Sequence, residues 1–305
     1  MGDLSGQSIS HPARAWLAQQ TAAGILTRDE VTGRFSLPPA HAAVLADPDS
    51  PAHLVGGALL AAGWFHGIDR VVEAFRTGSG IPWSHQHPDV FDGTERFFTP
   101  GYTMSLTAEW IPAVDGLVET LHTGGTIADV GCGHGTSTVL LAQAFPRATV
   151  IGYDAHRPSL EVARKRAASA GVAERVRFEV ADAAGYPGLG FDLVCLLDSL
   201  HDLGDPQAAA TRAYTALRRG GAVLVVEPQA ADDLAENLAN PLAALSYTAS
   251  AFQCTPASLA QPGAAAWGAQ AGERPVRAVL ESAGFTGFAR VADTPANAVY
   301  AARCT

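Results

Sequence analysis

The sequence predicts an α/β protein, a doubly wound and mostly parallel sheet preceded by a mostly helical N-terminal region. Three observations predict it. From Thr126 onward short β-rich runs alternate with helical segments, a glycine-rich turn follows the first run, and two apolar runs close the chain around Thr294 and Pro295. The length of 305 residues exceeds the ~100–200 of a typical domain, so two domains are expected, residues 1–100 and 101–305. A hydrophobic fraction of 48% against 16% charged residues supplies a core and excludes a disordered chain.

In chain order, residues 13–22 form a short helix ending at Gly24. ILTRDEVTGRFSL then alternates about a polar, glycine-containing turn as a hairpin does. Pro38 and Pro39 break the chain, and helices are expected over 40–45 and 51–75. Within the latter, 54–65 is apolar but too short to cross a bilayer, and it reads as a buried helix. TGSGIPWSHQHPDVFDG lacks periodicity and reads as a connector ending near Phe97, with a new helix beginning around Met104. Strands follow at 126–130, 149–153, 176–180, 193–197 and 222–227, with a closing pair at 289–292 and 298–302. Pro158 opens one intervening helix and Gly171 closes it; Asp205 with Pro206 opens the next and Gly220 closes it. A long segment, 229–271, interrupts the sheet before a last helix at 276–283 and reads as a lid.

Charge and cysteine usage exclude several functions. Twenty Lys and Arg against thirty Asp and Glu give a net charge of −10, which repels polyphosphate, so nucleic acid is not an expected partner. Cys132, Cys195, Cys254 and Cys304 form no Cys-x-x-Cys pair, which opposes a zinc cluster or disulfide framework and fits a reducing cytoplasm. MGDLSGQSIS carries no export or lipidation signal, and no membrane association is expected.

The chemistry concentrates at strand ends. Asp129 ends the first strand, and glycines at 131, 133 and 135 let the chain turn sharply into a helix. A dinucleotide fingerprint needs its third glycine where Thr136 stands, and Asp129 would repel a pyrophosphate, so a nicotinamide oxidoreductase is disfavoured. Asp129 instead suits loop organisation and attraction of an ammonium group. Asp154, followed by Ala155, ends the second strand where a carboxylate accepts both hydroxyls of a ribose. Asp182 ends the third, placed to accept from an exocyclic adenine amine while the Ala183 backbone reads a ring nitrogen. An adenosine is thereby framed.

DVGCGHG, GYD at 152–154, VAD at 180–182 and the 193–197 strand resemble the class I S-adenosylmethionine-dependent methyltransferases. The resemblance implies a seven-stranded Rossmann-like sheet with a final antiparallel hairpin, S-adenosylmethionine as cofactor and S-adenosylhomocysteine as product. A wider similarity links the chain to bacterial methyltransferases with an N-terminal winged-helix-like domain, including a mycobacterial methyltransferase and α-keto acid C-methyltransferases. It rests on ARAWLAQQTAAG, GTERFF, DSLHDLGDP, VEP at 226–228, CTPASLAQ, GAQAGE and ADTPANAVY. Those relatives begin with further helices, so the winged domain is expected to be truncated here. The resemblance implies a homodimer and a small-molecule methyl acceptor, with an oxygen, nitrogen or activated carbon as nucleophile.

Asp198, His201 and Asp202 follow the fourth strand, at the edge where such sheets place ligands. His201 either accepts a substrate proton or caps its loop; Asp198 faces the cofactor amine or holds the loop; Asp202 is a substrate candidate. Tyr102 either closes over the cofactor carboxylate or joins the core. Glu227 and Pro228 end the fifth strand, and Asn237, Tyr247, Gln253 and Cys254 lie in the expected lid, where they line a substrate pocket or cap helices. Cys132 has no base near it in sequence and reads as packing. Keto acid relatives hold iron with a histidine, an adjacent aspartate and a later histidine. His201 and Asp202 match the first two, no histidine follows His201, and no metal is expected. The competing reading is a winged-helix regulator with S-adenosylmethionine as effector and 13–22 as recognition helix; Arg14 as its sole basic residue opposes it.

Overall fold

The computed structural model describes residues 10–48 and 50–305, so most of the N-terminal MGDLSGQSIS lies outside the described residues. The chain divides into two compact units, one up to Val55 and one from Gly56 to Thr305. In the first, helix His11–Ala22 starts at Ser10, whose hydroxyl accepts from Ala13 N–H at 3.4 Å. Strands β1 (Thr27–Arg28) and β2 (Phe35–Ser36) pair antiparallel, and the Asp29 carboxylate accepts the Val31 and Thr32 amides to shape the turn between them. Helix Pro39–Leu45 follows.

The sequence boundary near residue 100 differs from this division, and the reason is packing. Residues 56–100 are built into the second unit: Leu60, Trp64 and Val90 form a buried cluster against Leu245 and Phe252. Gly93 has no room for a side chain, because a Cβ there would stand 2.5 Å from the Leu60 amide nitrogen. The single helix expected over 51–75 is two, Val55–His66 and Ile68–Thr77, broken at Gly67. Its apolar stretch is only half-sheltered, with Phe65 71% exposed. The expected connector is also largely helical. Pro88 is tolerated at the first position of helix Pro88–Gly101, where no amide is needed, and Pro100 falls where the helix passes into a π-helical turn, Tyr102–Trp110. No new helix begins at Met104.

The second unit is organised by a seven-stranded sheet in the order β5-β4-β3-β6-β7-β9-β8. Its strands are β3 (Thr126–Val130), β4 (Thr149–Asp154), β5 (Val176–Val180), β6 (Phe191–Leu197), β7 (Leu217–Pro228), β8 (Thr286–Asp293) and β9 (Asn297–Arg303). The first five run parallel, and β9 pairs antiparallel with both β7 and β8. This is the sheet that the resemblance implies. Alternate residues bury both faces: Ile127, Val150, Leu193 and Leu224 in one core, Ala128, Val194 and Val223 in the other. Helix Pro206–Ala216 stops at Leu217, which turns extended, so Gly220 is no helix terminus and lies inside β7. The order reverses between β3 and β6, and their carboxyl ends open the crevice where ligands bind in such sheets.

The 229–271 segment forms short helices, Leu234–Asn237, Ala243–Ala249 and Thr255–Leu259, with a π-helical turn at Ser250–Cys254. None of the described helices is long and apolar enough to cross a membrane.

Candidate active site

A cavity of about 370 Å³ opens at the carboxyl edge of β3, β4 and β5. Its floor is the loop after β3. Gly131 and Gly135 both hold a left-handed backbone, and a Cβ on either would stand within 2.8 Å of Ser199 or Ala163 side-chain carbon. The Gly133 amide donates to Asp154 Oδ2 at 2.8 Å, and the His156 amide donates to Oδ1 at 2.7 Å. Two backbone donors therefore fix the carboxylate at the end of β4. Burial pushes the Asp154 pKa up, against these two bonds. Asp182 accepts the Ala184 amide at 2.8 Å and lines the same wall with Ala181, Ala183 and Ala155.

The structure does not bring Asp129 to this wall. Its side chain is 1% exposed and turns toward the first helical turn after the loop, accepting from Ser137 Oγ at 2.7 Å and Thr138 Oγ1 at 2.5 Å. It acts on the loop from behind. Cys132 lines the cavity, and burial pushes its thiol well above the usual range.

Asp198 sits at the end of β6 with a φ of +47°, unusual for a residue with a side chain. Tyr102 Oη donates to its Oδ2 at 2.7 Å and Asn297 Nδ2 to its Oδ1 at 2.9 Å. Tyr102 lines the cavity, with its hydroxyl proton given to Asp198. Burial, with Glu227 and Asp202 nearby, pushes the Asp198 pKa up to about 8, although the Tyr102 bond and His201 oppose the rise.

The raised value carries a sign for stability. An unfolded aspartate titrates near 3.8, so the folded state holds this proton more tightly, and the associated stability is complete below that value and is lost as pH rises through about 8. Asp198→Asn cannot ionise, so its melting temperature should fall less than that of the wild type between pH 5 and 8.5. Parallel slopes in scanning calorimetry would disprove this.

A smaller cavity of about 70 Å³ adjoins the first and shares Thr94, Phe98, Asp198 and Asp202 with it. Leu60, Trp64, Leu242 and Leu245 give it apolar walls, and His201, Gln253 and Cys254 also face it. His201 is 3% exposed. Its Nδ1 lies 2.6 Å from Glu227 Oε2 and its Nε2 lies 3.3 Å from Asp202 Oδ1. Burial opposes charge on the ring, but Glu227 and Asp202 outweigh it and hold the pKa well above 6.5. Cys254 is pushed up to about 12 by burial. One atom each of His201, Asp202 and Cys254 lies within 4.8 Å of the others, so a thiol stands where the sequence shows no third histidine.

Of the expected substrate residues, Gln253 reaches the smaller cavity and accepts from Trp64 Nε1 at 3.1 Å. Asn237 and Tyr247 line neither cavity. The Asn237 side chain bonds both the amide and the carbonyl of Ala231 and reaches Tyr247 Oη at 3.4 Å, so it caps its own turn. Glu227 is buried behind the wall as the partner of His201. The sequence reading passed over Phe91, Glu95 and Asn297. Phe91 stacks on His156 with ring centroids 4.3 Å apart, and both line the larger cavity. Glu95 accepts from Thr136 Oγ1 at 2.8 Å and pairs with Arg166, tying its helix to the helices Thr136–Ala144 and Arg157–Ser169. GTERFF and ADTPANAVY contain Glu95 and Asn297, but neither motif shows which partner those residues meet.

Residues 121–280 match the model of the methyltransferase domain family. The chain belongs to that family. It is 36% identical over 108 residues to a trans-aconitate 2-methyltransferase of Paracidovorax citrulli, covering 35% of this chain and 40% of that one. It is 38% identical over 103 residues to the 27-O-demethylrifamycin SV methyltransferase of Amycolatopsis mediterranei, covering 33% and 38%. The chain thus spans about two fifths of the length of these curated relatives. The solved structure of PigF with S-adenosylhomocysteine shares the fold, with a TM-score of 0.65 at 19% identity over 96% of this chain and 85% of that one.

Proposed function

We propose that the protein is an S-adenosylmethionine-dependent methyltransferase acting on a small-molecule acceptor, within secondary metabolism as the name of the rifamycin relative suggests for that protein. The observation that carries the reading is the convergence of the Gly133 amide, Asp154 and Asp182 on one cavity from three successive strand ends. The residues fit the cofactor. Asp154 spends one lone pair of each oxygen on backbone amides, which leaves both oxygens able to accept a ribose hydroxyl. Asp182 and the Ala183 backbone suit an adenine edge, and Asp198 lines the cavity where an ammonium of the methionine moiety would favour its ionised form. Asp129 contributes by holding the loop, and Ala155 by lining the ribose wall.

Bound there, S-adenosylmethionine supplies a methyl group activated by a positively charged sulfur. The chain supplies position and dryness. Phe91, Phe98 and Trp83 wall the larger cavity, and Ala257, Ala260 and Gln261 of the 229–271 segment close one side of it, as a lid does. Orientation of this kind is worth ~7–11 kcal/mol in favourable cases. The smaller cavity takes the acceptor, with His201 at its floor. Residues 10–55, which leave Trp16 58% and Val31 95% exposed, form a winged-helix-like dimerisation element in this reading. Four free, buried cysteines support a cytoplasmic setting.

Calorimetric titration with S-adenosylmethionine and S-adenosylhomocysteine tests the reading. One saturable site for each is expected, and failure of both to bind a folded sample would refute it.

A further inference from the structure

Among the described residues, no lysine or arginine lines either cavity. The larger one is faced by Glu95, Asp154, Asp182, Asp198 and Asp202, and the last two also face the smaller one. His201 is the one side chain at the smaller cavity able to carry positive charge, and both its ring nitrogens already lie against carboxylates, at 2.6 and 3.3 Å. Its charge is spent on Glu227 and Asp202, and nothing remains to neutralise a bound anion. Asp202 stands at the junction of the two cavities with its Oδ1 turned to His201 and its side chain 20% exposed.

We infer that the acceptor carries no anionic group and is held in the smaller cavity through an O–H or N–H donated to Asp202, the same residue that excludes carboxylate-bearing acceptors. The inference rests on the assignment of the larger cavity to S-adenosylmethionine and of the smaller one to the acceptor. An anion entering this space would lose its hydration and gain no side-chain cation, while standing beside the Asp202 carboxylate in a low-dielectric pocket. A neutral donor instead can hydrogen-bond the exposed part of the Asp202 carboxylate, where a bond to a charged group is strong. The body of the molecule rests on Leu60, Trp64, Leu242 and Leu245. The acceptor therefore differs in charge class from the tricarboxylate named for the trans-aconitate relative.

The test uses the full chain saturated with S-adenosylhomocysteine and three aromatic probes matched in shape: 4-hydroxybenzyl alcohol, tyramine and 4-hydroxybenzoate. Calorimetry should show the alcohol and the amine binding at least about 10-fold tighter than the benzoate, which is about 1.4 kcal/mol. Asp202→Asn should narrow that gap to within about 3-fold, since it removes one negative charge and one strong acceptor. Ser246→Lys, which leaves the acidic cluster intact and places a cation on the same wall, should strengthen benzoate binding on its own. Benzoate binding as tightly as the alcohol, no probe binding at all, or a preference unchanged in both variants would overturn the inference. Failure of S-adenosylhomocysteine to bind would instead sink the functional reading beneath it.

Discussion

Asp154→Ala should weaken S-adenosylhomocysteine binding about 100-fold. The carboxylate has two tasks, and alanine removes both. It is placed to accept ribose hydroxyls, and hydrogen bonds to a charged group contribute about 1.5–3 kcal/mol each; the loss of about 3 kcal/mol corresponds to two orders of magnitude in affinity. It also receives the Gly133 and His156 amides, so its removal releases the loop that forms the cavity floor. Asp154→Asn impairs both tasks only in part. The amide keeps an oxygen for one backbone donor but turns an N–H toward the other, so the variant should fall between wild type and alanine. Calorimetry on the three proteins, with circular dichroism as a check of folding, measures the effect. Equal affinities would show that the ribose site lies elsewhere.

Glu227→Ala should cost about 3–5 kcal/mol of stability, because it leaves the buried His201 charge without its nearer partner. Glu227 is 3% exposed and its Oε2 stands 2.6 Å from His201 Nδ1, so water does not replace it at the ring. The effect depends on pH with a defined sign. His201 is held well above 6.5, so the stability linked to its proton is complete below that value and disappears as pH rises through the folded value. The difference between wild type and Glu227→Ala in urea denaturation should therefore be largest at pH 6 and shrink in alkaline buffer. Glu227→Gln keeps the hydrogen bond without the charge and should lower the His201 titration midpoint seen by NMR. An unchanged midpoint would show that Asp202 alone sets it.

The sheet was legible because its strands show one of two patterns: Thr126 to Val130 is a short, almost wholly buried run, and Val176 to Val180 at the edge alternates buried and exposed residues. The helix from Pro88 was not legible, since prolines and glycines read as breakers unless their positions at a first turn or a π turn are known. Asp154 and Asp182 were readable at the cavity because a strand end is a place in the topology as well as in the sequence. The opposite held in the 229–271 segment, where Asn237 and Gln253 look alike as polar residues in an aperiodic stretch. One caps its own turn and the other meets Trp64, 189 residues away. Asn297 shows the same limit. Nothing local indicates that a residue opening the last strand will hold a carboxylate at the end of β6.

That carboxylate joins three distant parts of the chain. Tyr102 and Asn297 grip Asp198 from 96 residues before it and 99 residues after it. During synthesis the strand ends that carry Asp154 and Asp182 emerge well before β9, which must then slot between β7 and β8 for Asn297 to reach its partner. The crevice between β3 and β6 is consequently completed by a segment translated after the strands that carry its other carboxylates. A nascent chain can possess most of its sheet and still lack a finished pocket, so ligand competence waits on the strand that carries Asn297.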